Sequence, residues 1–85
     1  MKLTGNIVFK GNLQTDGGVN LTTVYGGEIG GWTGTYTVYP SLNDANAHEN
    51  SLGDDSLQFP YVAGADPFAL FKDAVISRYP GLVAA

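Results

Sequence analysis

Eighty-five residues with four bases, eight acids and no cysteine allow one domain with a marginal core, no disulfide staple and no thiolate metal site. Only 14% of residues are charged, against about 25% in an ordinary domain, and the four bases Lys2, Lys10, Lys72 and Arg78 all lie near the ends. Between Gly11 and Phe71 stand only acids: Asp16, Glu28, Asp44, Glu49, Asp54, Asp55 and Asp66. Phosphate neutralisation needs clustered Lys and Arg, so nucleic acid is excluded as a partner. The same field repels an anionic membrane surface.

No apolar run is long enough to span a bilayer, and no signal-peptide stretch follows Met1-Lys2, so a cytoplasmic or virion setting is expected. Residues 1–85 read as one domain.

Alternation of period two dominates the first third. Leu3, Gly5, Ile7, Phe9, Gly11 and Leu13 fall on one side, and Thr4, Asn6, Val8, Lys10, Asn12 and Gln14 on the other. This predicts a strand with one apolar face, bent or bulged at its glycines. Asp16-Gly17-Gly18 then predicts a three-residue hairpin loop, which would set Leu13 opposite Leu21 and Phe9 opposite Tyr25.

A second turn is predicted at Gly26–Gly31. Folding about it sets Val19 against Val38, Leu21 against Tyr36 and Tyr25 against Trp32. The reverse face collects Asn20, Thr22, Val24, Thr33, Thr35, Thr37 and Tyr39. Matched hairpin strands also account for the likeness of Thr23-Val24-Tyr25 and Thr37-Val38-Tyr39 without an internal repeat.

From Pro40 to Ser56 the chain turns polar. Ser41 followed by Asp44 resembles a capping box and predicts a short helical turn over Leu42–His48. Leu57, Phe59 and Tyr61 resume alternation as a fourth strand, placed at a sheet edge because Pro60 cannot donate to a ladder. Asp66 as N-cap and Pro67 at the first helical position announce a helix to about Arg78, stopped by Tyr79-Pro80-Gly81. Phe68, Phe71, Val75 and Tyr79 form its apolar stripe, while Leu70 and Ile76 on the flanks read as partly wet. Gly81–Ala85 reads as a loosely held tail.

The expected fold class is α+β: an antiparallel β-meander of about four strands with one C-terminal helix packed on its apolar face.

Chemistry is sparse. His48 is the only histidine and sits in the polar segment without a fixed nucleophile or carboxylate partner, so a hydrolase built on it is the remote alternative. Asp44, Asn46 and, at the twelfth position, Asp55 faintly echo a calcium loop. His48 and Glu49 occupy the positions where an EF-hand has an oxygen ligand and a glycine, so this metal candidate is weak. Gly26–Gly31 lacks the ending of a P-loop and the order of a dinucleotide site. No catalytic residue and no cofactor are assigned, and the chain is read as a non-enzyme.

Most of the aromatics point at the predicted core. Ile29 is different: a branched apolar residue amid four glycines gains nothing from exposure to water, so it folds back on Trp32 or inserts into a partner. The expected function is a non-enzymatic assembly or interaction module, a homo-oligomer or binder of another protein. Such a composition is common in small structural or accessory proteins of viruses and phages. The alternative is a small acidic monomeric inhibitor or ligand-binding protein. The expected contact residues are Ile29, Trp32, Tyr25 and Tyr39, with Asp54 and Asp55 serving the inhibitor reading.

Overall fold

The computed structural model describes residues Met1–Ala85. The element order is β1 (Lys2–Phe9), β2 (Asn12–Gly27), β3 (Gly31–Tyr39), α1 (Leu42–Ala47), β4 (Gly53–Phe59), α2 (Pro67–Arg78) and β5 (Leu82–Ala84). All strands join one antiparallel sheet in the order β4-β3-β2-β1-β5. The class is α+β as expected, but with five strands and two helices, and α2 is not the last element.

The first hairpin turns at Lys10-Gly11, not at Asp16-Gly17-Gly18. Phe9 pairs with Asn12, and both loop residues have positive φ, 49° and 82°, as a tight two-residue turn of type I′ requires. Asp16-Gly17 is instead the site of a bulge inside β2. Gly5 pairs with Gly17 and Ile7 with Gln14, so two residues of β2 answer one of β1. Asp16 takes φ 52°, and its N–H donates to Asn6 Oδ1 at 3.0 Å. The bulge shifts the pleat by one residue, and Leu13, expected inside, is 62% exposed.

The second hairpin folds about the expected turn. Val19 pairs with Val38 and Leu21 with Tyr36, as predicted. Beyond them Thr22 is an extra residue, so Thr23 pairs with Thr35 and Tyr25 with Thr33 rather than with Trp32. The phase flips again: Val24 moves to the core side and Tyr25 turns outward, 60% exposed. Two bulges in one 16-residue strand explain why strict alternation misplaces both ends of β2 while placing its middle correctly.

The core gathers Leu3, Ile7, Phe9, Val19, Leu21, Tyr36, Val38, Phe59, Phe71, Val75 and Leu82. Helix α2 begins at the Asp66 cap, whose carboxylate accepts from the Phe68 N–H at 3.0 Å. It places Phe71 flat against Phe59, with ring centroids 5.6 Å apart. Gly34 makes that contact possible, since a Cβ there would lie 2.6 Å from the Phe71 ring. Leu70 and Ile76 are partly buried on the flanks of the same cluster, partly wet as read.

Helix α1 lies on the opposite face, over Gly18, where a Cβ would meet Ala45 Cβ at 2.9 Å. Ser41 caps it as read: its Oγ accepts from the Asp44 N–H, and it donates to the Asp44 carboxylate in place of the reciprocal backbone bond of a full capping box. Strand β4 is an edge, as expected, but it spans Gly53–Phe59: it draws Gly53–Ser56 out of the polar segment and stops before Pro60, so Tyr61 lies outside it. The tail is not loose: it forms β5 against Leu3–Gly5 and buries Leu82 completely in the core.

Candidate functional site

The β2–β3 turn projects Glu28, Ile29 and Gly30 beyond the last ladder pair, Gly27 with Gly31. Positive φ at Gly26, Gly27, Gly30 and Gly31 shapes this tip in a way that other residues resist. Ile29 is 97% exposed, so it does not fold back on Trp32. Beside the tip lies an open cleft of about 480 Å³, with Phe59, Pro60 and Tyr61 on one side and Glu28, Gly30 and Gly31 on the other. Trp32 is half-buried and stacks on Tyr61 at 6.2 Å, and its buried Nε1–H has no acceptor. Tyr61 and Val62 also present apolar surface.

The other expected contact residues are scattered. Tyr25 is exposed on the sheet face away from α2, beside Thr33, Thr23 and Thr35. Tyr39 is buried at the end of β3 that leads into α1 and offers no surface. Asp54 accepts from the Thr37 hydroxyl at 2.6 Å. Asp55 accepts from the Ser56 N–H at 2.8 Å and lies 3.7 Å from Arg78. Both acids are therefore engaged in and beside the edge strand.

His48 caps α1 in the left-handed conformation at φ 55°. Its Nδ1 lies 3.5 Å from Asn20 Nδ2, which donates to Ala45 O at 3.1 Å. Asn20 is buried within β2. Of the calcium candidates, Asp44 accepts from Ser41 and from Asn50, while Asp55 belongs to β4 and Arg78. No three His, Asp or Glu side chains converge as a metal site. No helix is long and apolar enough to cross a membrane.

A second cleft, of about 290 Å³, lies between Asn6–Val8 of β1 and the chain leaving α2 at Arg78–Gly81. Val8, 57% exposed, stands at its rim, paired across the ladder with exposed Leu13. Sequence reasoning missed this place. The available signal was Val8 itself, an apolar residue on a face otherwise made of Thr4, Asn6 and Lys10.

No protein family, curated protein or solved structure matches the chain.

Proposed function

We propose that this protein is a non-enzymatic assembly module that associates with itself through apolar groups displayed at the β2–β3 tip. The observation that carries this reading is Ile29. A glycine-framed turn holds a branched aliphatic side chain almost wholly in water, where burial would be worth roughly 1.5–3 kcal/mol. Fixing a backbone residue costs about 1–2 kcal/mol, so Ile29 needs neighbouring apolar surface, and Tyr61, which lines the cleft beside the tip, supplies some.

Sedimentation velocity over a concentration series tests the reading. The wild type is expected to gain mass with concentration. Ile29→Asp is expected to suppress that gain while shifting unfolding free energy by no more than about 0.5 kcal/mol, as for other surface changes. A wild type that stays monomeric at the highest soluble concentration overturns the proposal.

A further inference from the structure

The partner surface for Ile29 can be chosen on charge. Reciprocal docking of two tips would place Ile29 near the larger cleft, whose only charged lining residue is Glu28. Two Glu28 carboxylates would then approach with no base in the lining, and like charges brought together oppose association. The smaller cleft has the opposite character. It offers aliphatic surface from Val8 and Pro80, and its one charged lining residue is Arg78.

The Arg78 guanidinium is only loosely committed. It lies 3.7 Å from Asp55, with both side chains more than 40% exposed, and one nitrogen donates to Ser56 O at 3.3 Å. A guanidinium has five N–H donors in a planar fork, which leaves capacity for a second carboxylate.

We propose that copies of this chain join head to tail: Ile29 of one copy enters the cleft between β1 and the end of α2 of the next, and Glu28 sets its carboxylate beside the partner's Arg78. The proposal rests on the self-association reading and names the surface that the tip meets. Adjacent residues of the tip supply the apolar knob and the acid. Adjacent walls of the small cleft supply the aliphatic hole and the base. The two clefts share no lining residue, so each copy can offer its tip and its small cleft at once. Such a contact is heterologous and does not close at two copies: it extends until a ring closes or continues as a fibre.

The test uses the full chain in sedimentation velocity, with circular dichroism confirming that each variant is folded. Wild type is expected to pass beyond two copies as concentration rises, and to associate slightly less tightly in salt because the Glu28–Arg78 pair is screened while the apolar contact is not. Ile29→Asp removes the head and Val8→Asp spoils the tail, and each alone is expected to weaken association at least tenfold. Mixed in equal amounts, the two variants still share one intact head and one intact tail, so they form a pair and stop there. A wild-type assembly that ends at two copies, or one that Val8→Asp leaves intact, overturns the head-to-tail contact but not self-association. A monomer at every concentration overturns both.

Discussion

Tyr36 shows what a single buried group does to stability. It is fully buried in the centre of the sheet, and its hydroxyl meets that of Tyr79 at 2.9 Å. Burial first, and then the hydrogen bond with Tyr79, push its ionisation well above the ordinary tyrosine range. The raised folded value fixes the sign. Below about pH 10 the phenol is neutral in both states and its contribution is complete. Above that, the unfolded chain loses its proton first, so stability falls with rising pH. Denaturant unfolding at pH 8 and above pH 10 is expected to show this loss, and Tyr36→Phe to reduce it. An unchanged slope in the variant would assign the loss to other groups. Gly5 is constrained by space as well as conformation. It has φ 144°, and a Cβ there would lie 2.1 Å from Gly81 O. Gly5→Ala is therefore expected to cost at least the ~1–3 kcal/mol of a strained backbone position, read as a lowered thermal midpoint.

At the scale of elements, what the sequence made legible depended on how local each signal was. The Ser41 cap of α1 and the Asp66-Pro67 start of α2 are each set within a few residues, and both caps form as read. The Val19–Val38 register followed from one turn and one run of alternation. Leu13 and Tyr25 were misplaced because a bulge leaves a weak mark in composition yet inverts every side chain after it. Lys10-Gly11 turned the chain although Asp16-Gly17-Gly18 carries the stronger turn composition, since tertiary pairing decides between two competing glycine sites. Of the tip, the position of Ile29 was readable and its exposure was one of two expectations. The cleft at Arg78–Gly81 was not readable, because it needs β1 and the end of α2 placed together. The edge strand β4 shows a further device that only geometry reveals. The Ser56 N–H is taken by Asp55 and its carbonyl by Arg78, which blunts the middle of an edge otherwise open to pairing.

Across the whole molecule the decisive feature is that the two ends of the chain meet. Leu3 pairs with Ala84, and the Ala85 N–H donates to Lys2 O at 3.1 Å. Because Leu82 is buried in the core, β5 is structural, and deleting Leu82–Ala85 is expected to cost at least the ~2–5 kcal/mol of a buried leucine. The same contact is entropically expensive, since nearly the whole chain must be closed before it forms. Joining Ala85 to Met1 through a short flexible linker removes much of that cost from the unfolded ensemble while leaving the native ladder unstrained. Chain-entropy scaling for a loop of this length sets an upper bound of about 4–5 kcal/mol. At about 4–8 °C per kcal/mol for a domain of this size, even half of that bound raises the melting temperature clearly above that of the linear chain. A cyclised protein that melts no higher than the linear one would mean that β5 is held apart from β1 in solution, and the deletion should then be nearly silent as well. The two measurements must therefore move together: a large gain on cyclisation with a large loss on deletion, or neither.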